Sequence, residues 1–561
     1  MRSSQTDQPS TLVRAAGIGL PVALGVLALG PLLAATSLAG APTPPVADHV
    51  EPAASSAMSS AMSSAVAMRS DGSTGFETIE EDDIEADIAL LTNPYLEGRD
   101  SPSFGLEFAA EWVAGRFEEL GLESPEDIED HLTFYTRRMP APDPEETSLK
   151  TPLARDVRLG ADFTALLGAE GQAAGPAVFC GYGIGVKGFD ELKDLELDGA
   201  IAVLVEGEPR HKRVLDGPTL TQAANVYRKL VKLAELGVRG ALVVRRAHPS
   251  DVPVPPQWPE RQPMGFRHTW AMWADGTVPF YGPSPIPALE VSWTFAEELL
   301  EADLDAHMDA IDKRGKPKAF EGARPQVSLA CGIEQRNLSL PNVIGIVRGS
   351  DPELAGEYVV IGAHLDHIGA DPLGRIGVGA DDNASGTSAM LAVMKALAAD
   401  PPPRSVIGMA FTSEEDGLLG SDALARTPPV SRSSIVAMVN LDMIGRGPTK
   451  GVVALGVREN PGFEGVIDDA RRRFKTGIKD VEMQEGQELF RRSDHFSFHQ
   501  VGIPALFFFE HVPISDNPDY HTWRDLPELV DVAKIANTAK LAYGVVRELT
   551  ERPERLPAPK R

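Results

Sequence analysis

The amino-acid sequence predicts an α/β protein with a mostly parallel central sheet and helices on both of its faces. From about residue 325 onward, short apolar runs alternate with segments of helical periodicity. The apolar runs are continuous rather than alternating, as expected of parallel strands that are buried on both faces. In such sheets, ligands bind at the carboxyl ends of the strands.

Each predicted element of this region follows from its local pattern. The predicted strands are 358–364, 405–411, 435–442 and 503–509, and the predicted helices are 385–398, 462–474 and 528–549. A further helix is predicted nearer the N-terminus, over 106–121. There, large apolar residues recur at helical spacing and Gly121 provides a stop.

The segment from about 156 to 320 has a different sequence pattern. Short apolar runs at 175–185, 198–207 and 241–247 alternate with glycine turns, and one amphipathic segment, 225–240, lies between the last two. This pattern predicts a small unit that contains a βαβ element. The segment carries no cluster of metal ligands and no obvious nucleophile, so a structural or docking module is the favoured interpretation.

The N-terminus indicates export. Arg2 and Arg14 precede a long apolar stretch, and no charged residue follows Arg14 before Asp48. Residues 1–41 therefore read as a signal peptide, with a small-residue cleavage site at 37–39, or as an uncleaved N-terminal membrane anchor. Residues 42–75 are rich in Pro, Ala, Ser and Met and predict a disordered linker. The expected location is secreted, periplasmic or on the cell surface.

Composition narrows the classes of partner. The chain has 561 residues and a formal net charge of −28, which argues against nucleic acid and anionic membrane surfaces as partners. Its two cysteines, Cys180 and Cys331, could be bridged or could be buried free thiols. Cysteine usage therefore does not decide the compartment, and nothing in the sequence reveals the oligomeric state.

Carboxylates and imidazoles stand at the end of every predicted strand or in the loop that follows it. A lone buried histidine is usually a satisfied core group, and a lone aspartate before a helix is usually a cap. Five such positions at one edge of a parallel sheet form a much stronger signal. These positions are His364 with Asp366, Asp381 with Asp382, Glu414 with Glu415, Asp442, and Tyr520 with His521.

Such a ligand set, without a thiolate, is typical of zinc or a similar divalent ion. It exceeds what one catalytic zinc needs and suits two ions that share a bridging carboxylate. One of the adjacent glutamates can then bind metal while its neighbour serves as a general base. Asp366 follows His364 by two residues and is placed to hold the other nitrogen of that imidazole.

Six blocks of this region carry a family resemblance: HLDHIG, GADDNASG, FTSEEDGLLGS, NLDMIGR, SDHFSFHQVGIPALFF and DYHTWRD. In that order they resemble the M28 family of zinc peptidases, which includes aminopeptidase Y and the bacterial leucyl aminopeptidases. The resemblance implies a zinc-exopeptidase (phosphorylase/hydrolase-like) fold with a mixed sheet, and a catalytic domain over 76–155 and 321–552. It also implies that 156–320 is an inserted protease-associated (PA) domain.

Carried over residue by residue, the resemblance implies two zinc ions bridged by Asp382. His364 and Asp442 complete one site, and Glu415 and His521 complete the other. Glu414 is then the general base. The implied activity is that of an exported aminopeptidase that acts on peptides with a metal-bound hydroxide as nucleophile.

The resemblance leaves one departure from the family pattern and three residues without a role. Leu526 stands where members of the family often carry threonine. His367, Asp494 and His495 lie inside matched blocks but receive no role.

Several alternatives stay open. A carboxypeptidase or a dipeptidase would use the same two-metal site, and Arg446, Arg491 or Arg492 could clamp a substrate carboxylate. A glutaminyl-cyclase-like activity is disfavoured because those relatives use a single zinc. A non-catalytic, receptor-like homologue should lack a ligand or the base, and none is missing here.

Overall fold

The computed structural model describes residues 75–560, apart from 212, 216–220, 246–282, 370–374 and 485–488. Asp71–Arg561 forms one compact unit. The predicted leader (1–41) and all but the last residue of the predicted linker (42–75) lie outside the described residues. Among the described helices, none is both long enough and apolar enough to cross a membrane.

An eight-stranded sheet forms the centre of the described region. The spatial order of its strands is β1 Leu132–Pro142, β11 Ile333–Val347, β13 Ser405–Phe411, β12 Tyr358–His364, β14 Ile435–Leu441, β17 Ala505–Phe509, β15 Gly451–Leu455 and β16 Asp480–Gln484. Strands β13, β12, β14 and β17 run parallel to one another, and β15 is parallel to β16. The contacts of β11 with β1 and β13, and of β15 with β17, are antiparallel. The sheet is therefore mixed and mostly parallel, which confirms the predicted fold class.

The apolar strands are buried on both faces, as their continuous hydrophobic runs predict. In β12, Val359 and Ile361 pack into one hydrophobic core and Val360 packs into another on the opposite face. The helices that cover the first face come from before, between and after the strands of the sheet in the chain: α1 Glu81–Leu91, α2 Phe104–Glu119, α6 Gly386–Ala399, α8 Phe463–Arg473 and α10 Val532–Glu551. The second face packs against α7 Leu419–Arg426 and α9 His495–Gln500.

A second, seven-stranded sheet lies between β1 and β11 in the chain. Its strands, in spatial order, are β2 Ser148–Lys150, β10 Gln326–Cys331, β4 Gly171–Phe179, β7 Ile201–Val205, β8 Gly240–Val244, β9 Ala288–Val291 and β3 Phe163–Ala165. A short hairpin, β5 Gly185–Val186 with β6 Phe189–Asp190, accompanies it, as do α3 Val226–Glu235, α4 Trp293–Leu300 and α5 Leu304–Arg314.

The predicted βαβ pattern is present in this sheet, where β7 and β8 are parallel and α3 connects them. Strands β2 and β10 lie just outside the predicted boundaries 156–320, so the division of the chain into a catalytic and a PA domain stays a prediction. Cys180 and Cys331 are both buried free thiols, which resolves the alternative that the sequence left open.

Candidate metal centre

The parallel strands bring the predicted ligands to one edge of the large sheet. Strand β12 ends on His364, which lies beside Phe411 at the end of β13. Glu414 and Glu415 follow β13 after a short turn, and Asp442 directly follows β14. Because the strands are neighbours in the sheet, residues far apart in the chain meet at this edge.

His364, Asp382 and Asp442 form the first group of ligand atoms, and all three side chains are buried. His364 Nε2 lies 3.3 Å from Asp382 Oδ1 and 3.2 Å from Asp442 Oδ1. Two ligands of one tetrahedral zinc, each at about 2.1 Å from it, lie about 3.4 Å apart. The spacing and the donor types therefore fit a zinc ion. Ser493 Oγ donates a 2.6 Å hydrogen bond to Asp442 Oδ2 and orients that carboxylate.

The second group forms around the other oxygen of Asp382. His521 Nε2 lies 3.2 Å from Asp382 Oδ2 and 2.9 Å from Glu415 Oε2. His367 also belongs to this group, with Nδ1 2.9 Å from Glu415 Oε1 and 3.8 Å from Asp382 Oδ2. The two oxygens of Asp382 thus face different imidazoles, which is the arrangement that a bridging carboxylate needs.

His367 received no role in the sequence analysis. It is fully buried, and its Nε2 has no hydrogen-bond partner among the described residues. The signal for it was a second histidine three residues after His364, at the end of the same strand. Both His367, through Nδ1, and His521, through Nε2, therefore belong to the second group of candidate ligands.

The loop that carries Asp382 is fixed from two sides. The carboxylate of Asp525 accepts hydrogen bonds of 3.0 Å from the backbone N–H groups of Asp381 and Asp382. Gly379 adopts a φ of +62°, and a side chain there would meet Asp382 O and the ring of His367. Backbone contacts thus hold Asp382 in place. The role of Asp525 was not apparent in the sequence.

Asp366 supports the site in a different way from the one expected. His364 Nδ1 hydrogen-bonds the backbone oxygen of Asp366 at 3.1 Å, while the Asp366 carboxylate is 3.8 Å away. That carboxylate instead accepts hydrogen bonds from the backbone N–H groups of Glu414 (3.1 Å) and Glu415 (3.3 Å). The Asp366 carboxylate therefore positions the turn that carries the two glutamates. The His364 ring is held instead by the main chain of Asp366.

The two adjacent glutamates have opposite electrostatic surroundings. Burial raises the pKa of Glu414 well above its usual value; His364 opposes this shift, while Glu415 and Asp442 add to it. Burial and Asp382 also raise the pKa of Glu415, but His521 and hydrogen bonds from His367 and His521 outweigh them and bring it to about 2. Glu415 is thus held ionised, as a metal ligand must be, and Glu414 is suited to carry a proton.

A cleft opens beside these groups. Its acidic and imidazole lining consists of Asp382, Glu414, Glu415, Asp442 and His521. Arg492 and Tyr520 also line the cleft, and its apolar wall consists of Met443, Leu489, Phe507, Phe509 and Ile514.

Two residues that line the cleft, Arg492 and Tyr520, contact each other. Arg492 Nη2 donates a 2.9 Å hydrogen bond to the hydroxyl of Tyr520, whose ring stacks on His521 with 3.8 Å between centroids. Arg446, another predicted clamp, binds Asp519 and Asp525 instead. Arg492 is therefore the predicted clamp residue that lines the cleft.

Comparison with known proteins supports the resemblance seen in the sequence. The sequence model of Peptidase family M28 matches residues 342–546. A probable leucine aminopeptidase of Trichophyton verrucosum is 34% identical over 219 residues, which cover 37% of this chain and 57% of that protein. Aminopeptidase YwaD of Bacillus subtilis is 30% identical over 224 residues, or 38% of this chain and 46% of that protein. The chain thus spans about half the length of the curated relatives it matches.

Solved structures are also similar to this chain. A zinc aminopeptidase from Bacillus subtilis aligns with a TM-score of 0.47 and 19% identity, over 84% of this chain and 96% of the other. An aminopeptidase from Aneurinibacillus sp. strain AM-1 aligns with a TM-score of 0.44 and 19% identity, over 87% and 98%.

Proposed function

We propose, on the premise that residues 342–546 belong to peptidase family M28, that the protein is an exported two-zinc aminopeptidase. The observation that carries the proposal is the position of Asp382. Its two oxygens face two separate sets of ligands, 3.3 Å from His364 on one side and 3.2 Å from His521 on the other. Asp442 would complete the first site and Glu415 the second, with His367 available beside it.

The division of labour between the glutamates supports hydrolysis. A bound pair of zinc ions would polarise the scissile carbonyl and acidify the attacking water. Glu414 lines the cleft and belongs to neither group of ligand atoms, so its carboxylate is available to accept the proton of the water. It would then pass that proton to the leaving amine. The nearby ions would lower the raised pKa of Glu414 toward neutrality.

The charge of the cleft favours a free N-terminus as the bound end of the substrate. A cationic α-amine would be attracted to Glu414, Asp442 and Asp382, and the scissile carbonyl of the same N-terminal residue would then lie beside the ions. The apolar wall suits an apolar N-terminal side chain. A carboxypeptidase or dipeptidase is the second candidate, because Arg492 lines the same cleft and could hold a substrate carboxylate.

The remaining parts of the chain have proposed roles outside the chemistry. The segment 156–320 would be a PA insertion that affects folding or the choice of substrate, since no predicted ligand comes from it. The N-terminal 41 residues would direct export, as a cleaved signal peptide or as an anchor.

A single peptide in three forms tests the proposed activity. The free, N-acetylated and C-amidated peptide should be assayed for amino-acid release, with and without a chelator. An aminopeptidase cleaves the free and amidated forms, fails on the acetylated form, and loses activity with the chelator. Cleavage of the acetylated form combined with failure on the amidated form would establish the carboxypeptidase alternative. Full activity in the chelated and metal-free protein would refute both.

A further inference from the structure

Arg99 is a fully buried arginine with an unusual set of partners. Its side chain donates hydrogen bonds to four backbone carbonyls: Leu365 O at 2.7 Å, Val378 O at 2.8 Å, Gly379 O at 3.0 Å, and Leu91 O. No carboxylate lies within ion-pair distance of it among the described residues. A buried cation without an adjacent counter-charge is unfavourable unless the surroundings compensate for it.

Three of the four carbonyls come from the segments that carry the predicted ligands, and the fourth, Leu91 O, ends helix α1. Leu365 lies between His364 and Asp366, and Val378 and Gly379 lie just before Asp382. The backbone oxygen of Arg99 also accepts a 3.3 Å hydrogen bond from the N–H of His367. A single residue from the N-terminal part of the chain thus connects the two loops that supply His364, His367 and Asp382.

The charge of Arg99 is offset at longer range by the acidic centre itself. Burial lowers the pKa of Arg99, and Asp366, Asp525 and Asp382 partly oppose this shift. The resulting pKa is about 10, so the side chain stays cationic at neutral pH. The guanidinium carries five N–H donors on three nitrogens in a planar fork and so reaches four carbonyls, whereas an ammonium has three donors on one nitrogen.

We propose that Arg99 is a positioning residue of the metal centre, which fixes the separation of the His364 and Asp382 loops and so sets the affinity for zinc. This inference rests on the proposed function, because it requires that these loops bind metal. Arg99 does not contact the reacting atoms; it acts through the backbone of the ligand loops.

Arg404 provides a matched control. It is also buried, at 2% exposure, and donates to the backbone oxygens of Leu549, Thr550 and Arg552. Unlike Arg99, it also pairs with a carboxylate, that of Glu357 at 2.6 Å. It precedes β13, at the end of the large sheet opposite to the ligands. Arg404→Lys therefore measures what the loss of a buried guanidinium costs the fold without touching the site.

The test measures zinc affinity by competition with a chromophoric chelator, and thermal unfolding of the metal-free proteins, for wild type, Arg99→Lys, Arg99→Met and Arg404→Lys. Both Arg99 variants should bind zinc roughly 10–100-fold more weakly, as expected when support for metal ligands is lost. Arg404→Lys should keep the wild-type affinity for zinc even if its Tm falls as far as that of the Arg99 variants.

Equal zinc affinity in wild type and Arg99→Lys would overturn the inference. So would failure of both Arg99 variants to fold while Arg404→Lys folds, since Arg99 would then be a folding residue. A wild-type protein that binds no zinc would refute the proposed function instead.

Discussion

Replacing Glu414 by glutamine should remove most of the turnover and leave the metal content unchanged. The amide has the size of the carboxylate, and Glu414 contributes no atom to either group of ligands. What is lost is the ability to accept a proton beside the attacking water. General-base catalysis contributes roughly 10²–10⁴-fold to rate, so kcat should fall by about that factor, or about 3–5 kcal/mol in barrier height.

Glu415→Gln is the matched comparison, because it changes the neighbouring residue in the same way. Its carboxylate lies 2.9 Å from both His367 and His521, and the neutral amide would weaken metal binding there. This variant should lose zinc from one site. The assay pairs steady-state hydrolysis of a chromogenic amino-acid anilide with elemental analysis of the same samples. Zinc lost from Glu414→Gln and kept in Glu415→Gln would show that the two roles are reversed.

Three further substitutions test the surroundings of the site and the fold. Ser493→Ala removes the 2.6 Å hydrogen bond to Asp442 and should weaken zinc binding roughly 10–100-fold in a chelator competition. Burial raises the pKa of Asp87 to about 7, so the folded state retains a proton that the unfolded chain releases near 3.8, and stability is lost as pH rises between these values. Asp87→Asn should therefore raise Tm more at about pH 8 than at about pH 5. The control Asp82→Asn changes an exposed residue of the same helix and should show no such difference between the two pH values. A change in Tm of Asp87→Asn that is equal at both pH values would contradict the reasoning. Tyr182→Phe removes a 2.7 Å hydrogen bond in the region of the second sheet and should cost about 1 kcal/mol in unfolding experiments while leaving anilide hydrolysis intact.

The strongly patterned strands could be predicted almost to the residue. Strands β12 and β13 begin and end where their apolar runs do, because a strand buried on both faces is continuously hydrophobic. Strands β1 and β11 were not predicted. In β1, polar and apolar residues are mixed and burial is partial along most of its length, as expected for the edge strand of a sheet. Local pattern carries little information about such a strand, since its partner is about 200 residues away.

The candidate metal ligands could be predicted from the sequence because a parallel sheet brings its strand ends together at one edge. Their supporting contacts were not. The carboxylate of Asp366 reaches the backbone of Glu414 and Glu415, and Arg99 reaches carbonyls more than 260 residues away. These contacts depend on backbone atoms, which any residue could supply, so the sequence leaves no trace of the partner.

Zinc stoichiometry of the wild type and of Asp382→Asn tests the central claim most directly. The wild-type protein, loaded with zinc and freed of excess metal, should retain about two ions per chain. Asp382→Asn should lose both, since each oxygen of Asp382 faces a different site, whereas Asp442→Asn should lose one. A wild type with a single ion, or an Asp382→Asn variant that keeps one site fully occupied, would contradict a centre bridged by Asp382.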